Sequence, residues 1–347
     1  MDKRNIKDLD LEQLKSLMKE LGQPAFRAKQ VHQWVWERHA SSFQDMSNLP
    51  KTLREDLDER YTLLSLSIYT EQKSSDGTKK YLLAMADDTT VESVGIPSSD
   101  GTRLTVCFST QAGCGMGCVF CATGLGGFTR NLNPYEMFDQ VITVQNDFKI
   151  RVSNVVAMGQ GEPFANYDNV IAALKLMNQP ETLGIGARHI TVSTCGILPG
   201  IEKFTLEDEQ FTLAVSLHSA IQKTRNMLMP GVKKYDLLAL HEELKAYGDI
   251  TKRRPTLEYA PIDGINDDDE HLDALIDFCQ GMLCHVNLIP LNPVENPDDP
   301  TQMMPSKRLQ TFESALKRHG IEVSVRSSRG GDIDGACGQL RQKTIKQ

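Results

Sequence analysis

The sequence predicts an α/β fold: a partial (β/α)6-type barrel with a small helical N-terminal domain and a β-hairpin linker. From residue 102 onward, short strand-like segments alternate with amphipathic helical segments, a pattern typical of parallel strands joined by right-handed crossovers. Residues 1–75 carry apolar residues at helical spacing. Two strand-like segments then meet at Asp87-Asp88, which predicts a hairpin.

The predicted organisation has four parts, and 347 residues suffice for one large domain and a small one. Residues 1–75 form a helical accessory domain, and 76–100 form the hairpin linker. Residues 101–330 form the barrel. Residues 331–347 form a glycine-rich, basic C-terminal segment.

The first helix is predicted by apolar residues three or four positions apart: Leu9, Leu11, Leu14, Leu17, Met18 and Leu21. The stretch QPAFRAKQVHQWVWERHASSFQDMSNLPKTLREDL predicts a second and a third helix. Basic and aromatic residues alternate in it: Phe26, Arg27, Lys29, His32, Trp34, Trp36 and Arg38. Two interpretations fit equally, a helical domain with an aromatic core or a surface that binds RNA.

The hairpin strands are KKYLLAMAD and TTVESVGIP. The barrel strands are predicted at LTVCFST, SNVVAMG, HITVSTCG, FTLAVSLHS, TLEYAPIDG, HVNLIPLNP and EVSVRSSRG. Most are separated by predicted helices: NPYEMFDQVITVQNDF, YDNVIAALKLMN, YDLLALHEELKAYG, DEHLDALIDFCQGM and SKRLQTFESALKRHG. Parallel pairing brings the carboxyl ends of these strands to one rim, where barrels of this kind place their active sites.

Polar and reactive residues follow these strands at or just past their ends. They are the three cysteines of CGMGCVFC, then Gly159, Gly161, Glu162, Ser193, Thr194, Ser216, His218, Asn292 and, past the last strand, Cys337. One polar strand end would be unremarkable, but six at one rim predict a functional site.

Cys114, Cys118 and Cys121 place three thiols within eight residues. The chain shows neither an apolar signal core nor a membrane-spanning stretch, so we expect a cytoplasmic protein, whose cysteines are seldom disulfide-bonded. Three close thiolates suit a cubane iron–sulfur cluster with one iron left open. A structural zinc site would need a fourth ligand, which Cys107 or Cys337 could supply. We expect Cys195, Cys279 and Cys284 in the core.

The net charge of −8 argues weakly against a nucleic-acid partner. Residues 301–347 nevertheless carry nine basic and four acidic side chains, a local balance of +5. This stretch is either a solvated basic tail or a surface that contacts phosphates.

The spacing CxxxCxxC resembles the signature of the radical S-adenosylmethionine (SAM) superfamily, which implies a radical-SAM barrel. Further stretches resemble the RlmN/Cfr family of RNA adenosine methyltransferases: CFSTQAGCGMGCVFCATG, GFTRNL, MGQGEPFANYDNV, HITVSTCG, SLHS with RNMLMP, HVNLIPLNP and GGDIDGACGQL. The resemblance extends from the first helical segment almost to the end. The chain departs from the family at Gln160, at Cys195 and at Gly231-Val232.

The resemblance implies one [4Fe–4S] cluster held by Cys114, Cys118 and Cys121, and two SAM molecules per turnover. Residues matching the family's SAM-binding positions are Gly161, Glu162, Ser193, Ser216, Leu217, His218 and Asn292. A carboxylate such as Glu162 suits the ammonium of SAM, because a charged hydrogen bond is strong.

Cys337 matches the family's methyl carrier, which forms an S-methylcysteine intermediate and then a protein–RNA thioether. Cys107 matches the cysteine that releases the product by forming a disulfide with it. Glu92 matches the family's proposed proton acceptor, and Cys107 is the alternative for that role.

The resemblance implies methylation at C2 of an adenosine in the peptidyl-transferase centre of 23S rRNA and, in the RlmN branch, of the adenosine 3′ of the anticodon in tRNA. The Cfr branch methylates C8 and confers antibiotic resistance; GEP and GFTRNL favour C2. We also expect an electron donor such as flavodoxin, no membrane partner and a monomer. Two other interpretations stay open: a zinc-stapled, non-catalytic RNA-binding protein, and a radical enzyme that acts on protein.

Overall fold

The computed structural model describes residues 3–293, 303–327, 329–334 and 338–345. Within these ranges, none of the helices has the length and apolar character needed to cross a membrane.

The N-terminal unit consists of β1 (Arg4–Asn5), α1 (Leu11–Glu20), α2 (Phe26–Trp36), α3 (Lys51–Arg60) and β2 (Tyr61–Thr62). A capping box starts α1, because Asp10 accepts from the Gln13 amide and the Gln13 side chain accepts from the Asp10 amide. The three predicted helices are therefore present in this unit.

Three antiparallel strands follow: β3 (Leu66–Lys73), β4 (Lys79–Met85) and β5 (Thr90–Pro97). The hairpin of β4 and β5 was predicted. Strand β3 lies within residues 1–75, so the helical part ends at Arg60 rather than near residue 75. As the edge strand of the sheet, β3 is largely exposed and lacks the apolar alternation by which strands are detected.

The barrel strands are β6 (Leu104–Cys107), β9 (Val152–Ala157), β10 (Ile190–Thr194), β11 (Thr212–Ser216), β12 (Thr256–Tyr259), β13 (His285–Leu288) and β14 (Glu322–Val325). Adjacent members pair in parallel in this order, which makes the parallel barrel predicted from the sequence. Strand β5 pairs antiparallel with β6, so the hairpin extends the same sheet to ten strands, with β14 and β3 at its two edges.

The crossovers contain α5 (Pro134–Phe148), α6 (Tyr167–Asn178), α7 (Leu198–Thr205), α8 (Gln222–Leu228), α9 (Leu237–Thr251), α10 (Asp269–Cys279) and α11 (Leu309–Arg318). Helices α7 and α8 were not predicted. Pro199 and Gly200 resemble a turn, but proline fits the first turn of a helix. Gly200 packs so closely on Phe164 that a Cβ atom at position 200 would lie 2.5 Å from the Cβ atom of Phe164.

The N-terminal unit packs on α5. The ring centroids of Trp36 and Phe138 are 5.6 Å apart. Lys7 Nζ lies 2.7 Å from Asp139 Oδ1, and both side chains are almost fully buried. A buried pair of this kind is sensitive to loss of either partner, so it fixes how the helical unit sits on the barrel.

Candidate active site

The cysteine loop is held by a short antiparallel hairpin of β7 (Gln111–Gly113) and β8 (Phe128–Asn131), with α4 (Ala122–Leu125) between them. The Cys114 amide donates to the Gly127 carbonyl at 2.8 Å. The Val119 amide donates to the Leu228 carbonyl at 3.1 Å. Backbone bonds on two sides therefore fix the loop before any ligand binds.

A cavity of about 550 Å³ opens at the carboxyl ends of the parallel strands. It is lined by nearly all the predicted site residues that the structure describes: Glu92, Cys107, Cys114, Cys118, Cys121, Gly161, Glu162, Ser193, Ser216, His218 and Asn292. Leu217 and Thr194 are exceptions. The Leu217 side chain is fully buried in the hydrophobic core, and Thr194 does not line the cavity but donates to Glu162. Cys337 lies outside the described residues.

Burial raises the pKa of Cys114 to about 12 and also raises the pKa of Cys121. These thiols become thiolates readily only when a metal compensates their charge. Among the described residues, no group of three or more His, Cys, Asp or Glu side chains is arranged to hold one metal ion. A cubane is ligated through separate iron atoms, so its thiolates need not converge on one point.

Arg225 provides a test of whether an anionic cluster fits here. It is 1% exposed, and its terminal nitrogen donates to the Cys195 carbonyl at 2.6 Å. Its Nε has no hydrogen-bond partner in the described part of the chain. A hydrogen bond with the Cys195 thiol is the main cause that lowers the pKa of Cys118, and the charge of Arg225 lowers it further. A buried guanidinium without a carboxylate needs a nearby anion, and thiolate ligands of a cluster would supply one.

Glu162 is held by the turn that follows β9. Gly161 adopts φ +105°, and a Cβ atom there would lie 2.6 Å from Gln111, so only glycine fits. The Glu162 carboxylate accepts from Thr194 Oγ1 at 2.7 Å and from the Phe164 amide at 2.9 Å. Its other oxygen accepts from the amide and the thiol of Cys195, each at 2.7 Å.

All four of these donors are neutral, and Glu162 has no lysine or arginine ion pair among the described residues. Burial raises the pKa of Glu162, and its hydrogen bonds only partly oppose this. A buried carboxylate in such a setting favours a cationic ligand, and an ammonium group on a ligand would serve.

His218 follows β11 in a left-handed conformation, with φ +53°. The Ala260 amide donates to His218 Nδ1 at 3.1 Å, so the ring proton is on Nε2. Burial and the charge of Arg225 lower the pKa of His218 to about 3. The imidazole is therefore neutral near pH 7 and can donate one hydrogen bond from Nε2.

Cys107 lines the cavity at the end of β6. Burial raises the pKa of the Cys107 thiol, while the charges of Arg326 and Lys80 oppose the rise. Those two cations make ionisation of Cys107 easier than burial alone would allow.

Glu92 is 2% exposed and lies 3.0 Å from Lys80 Nζ, measured to Oε2. It also accepts from the Gly338 amide at 2.5 Å and from the Arg341 amide at 2.7 Å. These amides belong to the start of the last helix, α12 (Gln339–Ile345). Glu92 thus caps that helix from across the cavity wall.

Sequence reasoning did not assign five charged residues to the site. Four of them line the cavity, Lys80, Glu258, Arg326 and Arg329, and Arg225 is buried close to it. Glu258 is 4% exposed, and its Oε2 accepts from Asn287 at 2.8 Å. The available signal was a charged residue inside an otherwise apolar strand, as in TLEY and KKYLL, since such a residue needs a partner in a parallel barrel.

The sequence left two interpretations for the alternating aromatic and basic residues of the N-terminal unit, an aromatic core or a surface that binds RNA. In the structure some of these residues fit the first interpretation and others fit the second. Trp36 is buried against α5, whereas Phe26 is 55% exposed with the Arg27 guanidinium 5.0 Å from its ring centroid. Arg38 lies similarly over Trp34, at 4.5 Å. The unit therefore has an aromatic core and also a basic, aromatic surface.

Comparison with known proteins agrees with this geometry. Residues 4–63 match the family model described as "Ribosomal RNA large subunit methyltransferase N-terminal domain". Residues 108–278 match the model of the radical SAM superfamily, whose members use SAM and a [4Fe–4S] cluster.

Full-length relatives include the "Probable dual-specificity RNA methyltransferase RlmN" of Pelotomaculum thermopropionicum, 45% identical over 99% of this chain and 92% of the relative. The protein of the same description from Geobacillus kaustophilus is 44% identical over 99% of this chain and 94% of its own length.

A crystal structure of a radical SAM methyltransferase from Sphaerobacter thermophilus superposes with a TM-score of 0.88 and 40% identity, covering 97% of this chain and 98% of that one. Identity at this level over the whole length, together with the two domain matches, decides against a non-catalytic zinc protein. The chain belongs to the RlmN family of radical SAM RNA methyltransferases.

Proposed function

We propose that the protein methylates C2 of an adenosine in the peptidyl-transferase centre of 23S rRNA, and of the adenosine 3′ of the anticodon in tRNA. The convergence of the three cysteines, Glu162 and Cys107 on one cavity carries this proposal. Support for the rRNA substrate comes from the N-terminal family model, which names the large ribosomal subunit. Support for a second RNA comes from relatives described as dual-specificity enzymes.

In this proposal Cys114, Cys118 and Cys121 hold the cluster, which with SAM supplies the radical chemistry of the family when bound. Glu162 binds the SAM ammonium, since no cation of the described chain pairs with it. Gly161 makes the turn that places Glu162 in the cavity wall. Ser193, Ser216, His218 and Asn292 hydrogen-bond to the ligand from the same wall. For Leu217 only the backbone could take part, because its side chain is in the core.

Cys337 is the proposed methyl carrier, which takes a methyl group from one SAM while a second SAM is consumed by the radical step. The methyl carbon on its sulfur gives one hydrogen atom to the radical and becomes bonded to adenine C2. The adduct then loses the ring proton and one electron, which the oxidised cluster would take back. The Cys107 thiolate then attacks the Cys337 sulfur. An S–S bond forms as the bond from that sulfur to carbon breaks, and the carbon keeps the electron pair and takes up a proton to become the methyl group.

Glu92 and Cys107 are the two candidates for accepting the ring proton. An external donor such as flavodoxin would supply the electron for SAM cleavage, and the enzyme would work as a monomer.

The test is in vitro methylation with the cluster-reconstituted protein, SAM, a reductant and unmodified 23S rRNA or tRNA, followed by nucleoside analysis. The expected product is 2-methyladenosine in both RNAs, absent with Cys114→Ser or Cys337→Ala. Appearance of 8-methyladenosine would assign the Cfr-type reaction instead. Absence of any methylated adenosine from both RNAs would overturn the proposal.

A further inference from the structure

The Lys80–Glu92 pair contacts the chain on both sides of residues 335–337. Lys80 Nζ donates to the Asp334 carbonyl at 2.6 Å, and Glu92 accepts from the Gly338 amide at 2.5 Å. Both side chains are almost fully buried and are 3.0 Å apart. One ion pair on adjacent strands therefore fixes the two residues that flank this tripeptide.

Further contacts hold the chain on either side. On the N-terminal side, the Gln72 side chain bonds to the Asp334 carboxylate at 3.0 Å and to the Asp334 amide at 3.1 Å. The Ser75 amide donates to Asp332 at 2.9 Å. Strand β3 and the turn after it therefore hold Asp332 and Asp334 through hydrogen bonds.

On the C-terminal side, the Arg341 amide also donates to Glu92, at 2.7 Å. Gly338 has φ +86°, and a Cβ atom there would lie 2.5 Å from the amide nitrogen and the hydroxyl of Thr123. Thr123 belongs to α4, directly after the cysteine loop. The Gly338 anchor thus rests on both Glu92 and the cluster loop, and only glycine fits this contact.

We propose that Glu92, together with Lys80, is a positioning residue that holds the chain next to Cys337 in register with the cavity. Both Glu92 oxygens are already occupied by backbone N–H groups, and Lys80 neutralises the charge. A carboxylate used in this way is poorly placed to collect a ring proton, which leaves that step to Cys107. The inference deepens the proposed function and rests on it for the role of Cys337.

The test compares Glu92→Gln with the wild-type, cluster-reconstituted protein in three measurements. Amide hydrogen exchange of the peptide covering 338–345 should become about 10- to 100-fold faster, because a charge-assisted anchor is lost while Gln can accept only one of the two N–H groups. Methylation of Cys337 by SAM, followed by peptide mass, should fall. RNA methylation should fall in parallel, without accumulation of a protein–RNA adduct.

A second variant distinguishes loss of the anchor from unfolding of the Glu92→Gln protein. Gly338→Ala leaves Glu92 and Lys80 in place but forces the anchor away from Thr123, so it should reproduce the faster exchange and the slower Cys337 methylation. The matched control is Glu136→Gln. Glu136 is also a buried carboxylate that accepts a backbone N–H and pairs with an arginine, Arg130, but it caps α5 and does not line the cavity.

A proton-acceptor role for Glu92 predicts the opposite pattern in Glu92→Gln: unchanged exchange, normal methylation of Cys337 and accumulation of the protein–RNA adduct. That outcome would overturn the inference. If the wild-type protein carries no methyl group on Cys337, the proposed carrier is wrong. The exchange measurement needs neither RNA nor SAM, so it still decides whether Glu92 anchors the segment.

Discussion

Glu162 and Glu92 are buried carboxylates that line the same cavity, 1% and 2% exposed respectively, and each accepts backbone hydrogen bonds. Their surroundings differ in charge. Lys80 lies 3.0 Å from Glu92, whereas the Glu162 carboxylate is bonded to a hydroxyl, a thiol and amides. A buried charge that the protein compensates itself serves as an anchor, and one that it leaves uncompensated favours a cationic ligand.

The largest expected effect is on SAM binding in Glu162→Gln. The variant removes the charge with little change in shape, so affinity for SAM should fall about 30- to 5,000-fold, the usual range for loss of one partner of a buried charged pair. Thermal stability should be unchanged or slightly higher, because a buried charge without a cation is removed. Calorimetric titration of SAM into the cluster-reconstituted protein measures the affinity.

The control for this measurement is Glu92→Gln, which should keep the SAM affinity within about threefold, well inside the loss expected for a direct contact. An equal loss of affinity in the two variants would remove the distinction drawn between the carboxylates.

The next effect is on folding stability in Lys80→Met. Glu92 would then be buried with two N–H donors but no cation, so the free energy of unfolding should fall by about 3 kcal/mol. Glu92→Gln should cost a similar amount, and the double variant less than the sum of the two. Guanidinium unfolding monitored by circular dichroism gives all three values. Strict additivity would mean that the ion pair contributes no coupling energy.

The sequence was sufficient to predict the repeating strand–helix units of the barrel. Strands buried on both faces give continuous apolar runs, and the helices between them give a 3.6-residue period. The seven barrel strands, β6 and β9 to β14, and five crossover helices were therefore predictable, whereas the short strands β7 and β8 were not. The site residues that follow strand ends were predictable for the same reason, because parallel pairing carries them to one rim. Glu162 and His218 are examples.

What was not predictable depends on contacts between distant segments. Lys80 and Glu258 lie within strands, and their partners come from elsewhere in the chain. Arg225 is buried beside the cysteine loop by the packing of α8, which has too few residues to show a period. The glycine-rich composition around Gly338 predicts a flexible backbone, yet the structure shows that the lack of a side chain there allows close approach to Thr123.

The smallest expected effect concerns a second buried lysine–carboxylate pair, Lys7 with Asp139, and the histidine beside it. Burial, and then the charge of Lys7, lower the pKa of His39 to about 4. Between pH 6.5 and 4 the unfolded chain therefore binds a proton at His39 that the folded chain does not, so stability should fall as the pH falls through this window. Allowing for the partial exposure of His39, about 1 kcal/mol should be lost between pH 7.5 and 5.5.

His39→Asn, which tolerates the φ of +51°, should remove this slope from unfolding curves measured across the range. If the slope persists in the variant, the pH dependence of stability belongs to another group and not to His39 beside the Lys7–Asp139 pair.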